Sequence, residues 1–362
     1  MTKLEQLMQE LCPNGVEYKE IDDLSKTIAP KIKIKSKDYL EKGVNPIIDQ
    51  GQNYIGGYSN NSSVFPKDQY IVFGDHTCVV KYVDFPFLQG ADGVKVLQPI
   101  SDKILLTKYL YYCMCNIKIA VNYSRHWSKM RKSTIPVPPL EVQAEIVRIL
   151  DKFTELTTEL TTELTNRKKQ FEYYSRQLFT ATKNTQLTTL EQISLNCDSQ
   201  RKPVTSNKRT SGIYPYYGAS GIVDYVADYI FDGDYLLISE DGANLLARNT
   251  PIAFSISGKT WVNNHAHVLK FDNYHTRLYV EFYLNSIDLS PYISGAAQPK
   301  LNQKNLNKIE IPLPPIEEQR RIVAILDRFD KLCNDISEGL PAEIEARRKQ
   351  YEYYRDKLLS FS

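Results

Sequence analysis

Apolar residues recur at Ile146, Ile149, Phe153, Leu156, Leu160 and Leu164 and then, across Arg167, at Phe171, Tyr174 and Leu178. Steps of three and four place them on one face, so the spacing predicts a single amphipathic helix. A second series, Ile322, Ile325, Phe329, Leu332, Ile336, Leu340, Ile344, Arg347, Tyr351, Tyr354 and Leu358, predicts a matching helix near the C-terminus. Gly339 and Pro341 both disfavour a helix interior, so this second helix is expected to stop near Glu338 and restart at Pro341. The segments ahead of the helices differ in texture, with short strand-like runs rich in tyrosine and β-branched residues between glycine turns. QYIVFGDHTCVVKYV (69 to 83) and DYLLISEDGANLLAR (234 to 248) each put a strand before an acidic, turn-prone loop.

The pattern is duplicated in detail. IPVPPLEVQAEIVRILDKFTEL (135 to 156) returns as IPLPPIEEQRRIVAILDRFDKL (311 to 332), at a constant offset of 176. RKKQFEYYSRQL (167 to 178) returns as RRKQYEYYRDKL (347 to 358), now at an offset of 180, so four residues have been added in between. Each unit opens on a proline pair, which is tolerated only at a helix start, so Pro139 and Pro315 mark where the helices begin. The first helix also carries TELTTELTTELT at 154 to 165, a four-residue unit repeated. Such quartets add turns without rotating the apolar seam far, and they read as a length adjuster. Two matched stripes are best buried against each other in an antiparallel pair. The chain therefore reads module, helix, module, helix: an N-terminal helix at 1 to 13, a module at 14 to 140, a helix with the quartets at 141 to 185, a module at 186 to 316 and a helix at 317 to 362.

Composition narrows the class. At 362 residues and 42% hydrophobic, the chain can build two separate cores and is not a disordered polymer. Its start, MTKLEQLMQELC, has no signal-peptide core, and its six cysteines contain no CxxC pair, so a reduced cytoplasm is expected. No apolar run approaches the ~18 residues of a membrane span. The net charge of +2 decides nothing about nucleic acid, because a DNA footprint is local.

Two modules alternating with two helices, each opened by IPxPP[LI]ExQ..IV.ILD.F, resemble the specificity subunit of a type I restriction-modification system. The resemblance covers essentially the whole chain. It implies an α+β or α/β fold: two globular target recognition domains with mixed β-sheet, separated by long antiparallel coiled-coil helices in a pseudo-two-fold repeat. It also implies double-stranded DNA as a partner, one module per half of a bipartite asymmetric site. The helices would set the spacer and dock two methyltransferase subunits, with restriction motor-nuclease subunits joining the full complex. The family's specificity subunit catalyses nothing itself and carries no cofactor.

Basic segments suit the same function. In SKTIAPKIKIKSK, a strand would show Lys31, Lys33 and Lys35 on one face with Ile32 and Ile34 on the other. RKPVTSNKR supplies Arg201, Lys202, Lys208 and Arg209 at a comparable place in the second module. Phosphate contact by such residues gives affinity and position without sequence information. Near the end of module one, YSRHWSKMRK interleaves Arg125, His126 and Lys129 with Tyr123 and Trp127. Module two has AAQPKLNQKNLNK in register, with Gln298, Lys300 and Gln303. Arginine reads guanine and glutamine reads adenine in the major groove, so these loops are the candidates for base reading. Arg125 resembles the start of the family's RHxSxLK element, with Met130 in place of its leucine.

Catalytic motifs are missing. No [DN]PP[YF] of an amino-methyltransferase occurs, and SISGKT lacks the opening glycine of a P-loop, having Ala253 there. His265 and His267 lack partner ligands at metal spacing, and CMC at 113 to 115 reads as a half-buried element. Asp75-His76 and Glu240-Asp241 read as loop features. Two alternatives are a stand-alone DNA-modifying enzyme and a coiled-coil scaffold with protein- or glycan-binding modules.

Overall fold

A computed structural model describes residues 2–91, 93–120, 125–180, 185–241, 244–248, 250–295 and 298–361. The chain forms two compact units, one made of Met1–Leu160 with Ile344–Ser362 and the other of Thr161–Glu343. The boundary falls inside the TTEL quartets. The helix Leu140–Thr180 runs unbroken through them, so its first half belongs to one unit and its second half to the other. The threonines are accommodated because Thr154, Thr157, Thr158 and Thr165 donate to carbonyls one turn back.

The second helix is interrupted, as Gly339 and Pro341 require. It runs Ile316–Asn334 and resumes as Leu340–Leu359. The stop comes earlier than Glu338 because the Asp335 carboxylate captures the amides of Ser337 and Glu338. Within each unit the helices meet as an antiparallel seam repeats itself: Phe153 stacks on Tyr354 at 5.4 Å, and its equivalent Phe329 meets Tyr174 at 6.1 Å. In the second unit Phe329 also faces Phe171, while Ile322 and Leu326 share a core with Phe179. Leu359, the equivalent of Phe179, is buried with Val142, Ile146 and Leu150 in the first unit.

Among the described residues each module contains two four-stranded sheets; the strand order recurs in the first sheets and differs at one edge in the second. The first sheet of module one is antiparallel throughout, in the order Ser25–Ile28, Val94–Pro99, Tyr70–Gly74, Val80–Val83. That of module two runs Leu195–Asn196, Ala266–Lys270, Tyr235–Ser239, Ala253–Ile256. The central strands are continuous apolar runs because both faces are covered. Ile71 and Phe73 pack toward the helices while Tyr70 and Val72 pack toward the second sheet. Leu236 and Ile238 divide from Tyr235 and Leu237 in the same way.

The second sheets are mixed. Module one orders Lys33–Ile34, Leu88–Gly90, Asn45–Ile48 and Gly57–Ser59, with both pairings of Leu88–Gly90 parallel. Module two orders Phe231–Asp232, Lys259–Val262, Ser211–Gly218 and Gly221–Val226, with one parallel pairing. The edge position that the lysine strand takes in module one thus goes to Phe231–Asp232 in module two. SISGKT is the end of the strand Ala253–Ile256 and a turn at Gly258 (φ +77°) that leads into the strand Lys259–Val262 of the other sheet, a crossover between sheets and not a phosphate loop.

Each module is closed at its ends. Tyr18–Glu20 pairs antiparallel with Thr134–Pro136, and Gln186–Thr189 with Glu310–Leu313. The proline motif then locks module to helix. Tyr109 donates its hydroxyl hydrogen to the Pro136 carbonyl at 3.1 Å, and Tyr279 to Pro312 at 2.6 Å. Buried Gln143 donates Nε2–H to the carbonyls of Pro138 (2.7 Å) and Ile104 (2.8 Å) and accepts from the Leu106 amide (2.9 Å). Buried Gln319 donates to the Pro314 carbonyl and accepts from the Thr276 hydroxyl, both at 2.8 Å. Among the described residues no helix is long and apolar enough to cross a membrane.

Two outcomes follow from this lock and seam. Gln143→Leu strips several buried backbone groups of their partner and should cost about 2–4 kcal/mol, against about 1 kcal/mol for Tyr109→Phe. Urea unfolding followed by tyrosine and tryptophan fluorescence measures both, and equal effects would deny the glutamine its role. A fragment of residues 1 to 185 lacks Tyr354 but carries the equivalent Tyr174, so a second copy can supply the ring for Phe153. Sedimentation should show a dimer, weakened by Tyr174→Ala; a monomer that is folded would contradict the seam.

Candidate functional site

The candidate residues gather on one rim of each module, at the end of the central strand. In module one, Asp75 follows the strand Tyr70–Gly74 and is buried. Its amide donates to the Gly93 carbonyl, its carbonyl accepts from the His126 amide at 2.7 Å, and its carboxylate accepts from the Trp127 amide at 2.7 Å. Asp75 therefore pins the start of the short helix Trp127–Met130. Arg125 and Lys129 on this loop are exposed. Tyr123 and Ser124 lie outside the described residues.

The lysine strand ends at the same rim. Only Lys33–Ile34 of this segment forms the expected strand; Ile34 is buried and Ile32 half-buried while Lys31, Lys33 and Lys35 are exposed. The Ile34 carbonyl accepts from the Ala91 amide, close in sequence to the Gly93 that holds Asp75.

In module two Glu240 takes the place of Asp75. Its amide donates to the His265 carbonyl and its own carbonyl accepts from the Leu301 amide at 2.8 Å. Gln298, Lys300 and Gln303, on either side of buried Leu301, are exposed, and Gln303 opens the short helix Gln303–Asn307. Ala296 and Ala297 lie outside the described residues. Lys300 reaches back to Glu240 at 3.0 Å while its side chain stays 51% exposed, so it can still exchange partners. Lys202 and Lys208 are exposed.

Three candidates are corrected by the structure. Arg201 is turned inward: Nη1 donates to Glu240 Oε2 at 2.6 Å and to the Ala266 carbonyl at 2.8 Å, and Nη2 lies 3.4 Å from Asp198. Its charge is spent inside the module. Arg209 donates to Asp224 and to the Val204 carbonyl and covers the Tyr216 ring at 4.3 Å, a packing role. His126 is fully buried, so it supports the loop and cannot reach a base. The segment 201–209 also forms no strand, so the two basic segments are not structural counterparts.

Sequence reading missed the carboxylates that organise the rims. Burial alone would raise the Asp198 carboxyl, but hydrogen bonds from His267 and the Val268 amide, with Arg201 nearby, leave it below its ordinary value. Glu240 is likewise lowered against the cost of burial, by Arg201, Lys300 and His267. Only Asp75-His76 and Glu240-Asp241, each following a strand, were visible as a signal. His265 is half exposed with Nδ1 2.9 Å from Asp241, and His267 is buried. Among the described residues no cluster of His, Cys, Asp or Glu could hold a metal ion.

Comparison with known proteins agrees with this duplicated architecture. The family model for the type I restriction modification DNA specificity domain matches the chain twice, at 13–170 and 183–346. The chain is 34% identical over its whole length to the EcoR124I/EcoR124II specificity subunit of Escherichia coli, covering 97% of that protein. A putative type I specificity subunit of Mycoplasma pneumoniae is 33% identical over 64% of the chain and 98% of its own length. In fold, the chain resembles the crystal structure of a type I restriction-modification S subunit from M. genitalium, with a TM-score of 0.64, 16% identity and coverage of 96% and 97%. With both halves matched by one model and the full length matched by a relative, the chain belongs to the type I restriction-modification specificity subunits.

Proposed function

We propose that the chain is a DNA-recognition subunit whose modules, 14 to 140 and 186 to 316, each read one half of a bipartite, asymmetric site. One observation carries this reading: each unit repeats the same lock of helix to module and presents a different exposed loop at the same rim. Arg125 and Lys129 read in module one; Gln298, Lys300 and Gln303 read in module two. Lys31, Lys33, Lys35, Lys202 and Lys208 contact phosphates. The paired helices set the spacing of the half-sites and dock two methyltransferase subunits, one on each copy of the repeated surface, with restriction motor-nuclease subunits completing the assembly. The chain works in the cytoplasm, uses no cofactor of its own and transfers no methyl group until its partner is added. Labelled methyl donor, DNA and the chain with or without that partner test the division of labour; transfer by the chain alone would overturn it.

Within the assembled complex, Arg125→Ala should relax base preference in one half-site by about 1–3 kcal/mol per base contact. Lys33→Ala should weaken binding to all sequences alike and reduce the salt slope by roughly one. Binding titrations against single-base variants at several salt concentrations separate the two, and identical profiles would show that the reading loop is misplaced.

The quartets supply a separate test. Four residues lengthen a helix by ~6 Å and leave a net rotation of ~40°. One base pair turns B-DNA by roughly 34–36°. Deleting Thr161, Thr162, Glu163 and Leu164 should therefore shorten the spacer by about one pair and leave both half-sites intact. Methylation mapping of the folded variant decides it, an unchanged spacer or altered half-site bases being the contrary result.

A further inference from the structure

His267 lies on the central-sheet strand Ala266–Lys270 and its side chain is 1% exposed. Each ring nitrogen faces an acceptor. Nδ1 is 2.6 Å from Asp198 Oδ2, and Nε2 is 2.7 Å from the Leu301 carbonyl oxygen. A carbonyl oxygen and a carboxylate oxygen are both acceptors, so the ring is held between two acceptors. The charged groups around it are Asp198, Glu240 at 3.8 Å, Arg201 between those two carboxylates, and Lys300 on the other oxygen of Glu240. Both carboxyls are held below their ordinary values, which keeps them as acceptors.

The consequence falls on the loop. Leu301 is gripped twice, its amide by the Glu240 carbonyl and its carbonyl by His267, and it is fully buried. Lys300 precedes it and Gln303 follows shortly after, both exposed. Module one shares the first grip, the His126 amide on the Asp75 carbonyl, but its second comes from the Asp75 carboxylate on the Trp127 amide and not from a histidine. In sheet register Lys95 stands opposite Phe73 where His267 stands opposite Ile238, so the histidine grip belongs to module two.

We propose that His267 is a positioning residue for the second half-site, acting through the Leu301 carbonyl to set Lys300 and Gln303 on the rim. This rests on the DNA-reading function proposed above. Losing the ring would release the Leu301 carbonyl and leave the loop held by the Glu240 carbonyl on the Leu301 amide. Base discrimination in the second half-site therefore depends on this side chain.

The test uses the full chain assembled with its methyltransferase subunits, labelled methyl donor, and DNA duplexes carrying single-base changes in each half-site. His267→Ala removes both donors, whereas His267→Gln keeps one amide donor for the Leu301 carbonyl. His267→Ala should lower discrimination in the second half-site roughly tenfold and leave the first half-site unchanged, and His267→Gln should restore part of it. Thermal melting confirms that each variant is folded; if His267→Ala does not assemble, His267→Gln against the wild type decides alone, with a smaller loss confined to the second half-site expected. Undiminished discrimination in the folded variants, or equal losses in both half-sites, overturns the positioning role. A wild-type complex with no base discrimination at all overturns the DNA-reading function, and the positioning role with it.

Discussion

A buried glutamine on the first turn of a helix, bonded to the proline carbonyl just before that helix, is the interaction on which each unit depends. Gln143 and Gln319 each tie the helix start to the module that precedes it. Tyr109 and Tyr279 add a second tie to the prolines two residues earlier. Prolines have no N–H to donate, but their carbonyls remain acceptors, and in these two motifs every such carbonyl named is used. Buried polar groups of this kind stabilise only when satisfied, so the motif must be kept or lost as a whole. This explains why IPxPP[LI]ExQ is repeated with so little change while the modules diverge.

With the ends of each module fixed by a short antiparallel ladder and the helix locked to its base, the rim at the far end of the central strand is free to vary. The two rims differ in kind. One has a lysine edge strand beside an aspartate-pinned loop; the other has Phe231–Asp232 at that edge and a network of Asp198, Arg201, Glu240, His267 and Lys300. The same scaffold thus carries different side chains, hydrogen-bond donors and electrostatics at one place, which suits the proposed reading of two unlike half-sites.

The helices, their duplication and the break before Leu340 were legible in the sequence because helical periodicity and proline placement are local. The exposed face of Lys31, Lys33 and Lys35 was legible for the same reason. The sheets were not, since their strand order joins residues far apart in the chain. The errors at Arg201, Arg209 and His126 share that origin. Arg201 finds Glu240 39 residues on and Arg209 finds Asp224 15 residues on, and nothing in a run of basic residues says which charges are already neutralised. Asp75 and Glu240 read only as loop features and His267 only as a histidine without metal partners, because a lone acidic or histidine residue becomes informative only when its acceptor or donor is known.

The most direct test of the proposed reading of two half-sites by two modules is the map of methylated positions in DNA modified by this chain together with a methyltransferase subunit. Two modules reading two half-sites leave two short defined blocks of different sequence, separated by a run of undefined bases of fixed length. One uninterrupted block, or two blocks of identical inverted sequence, would contradict it.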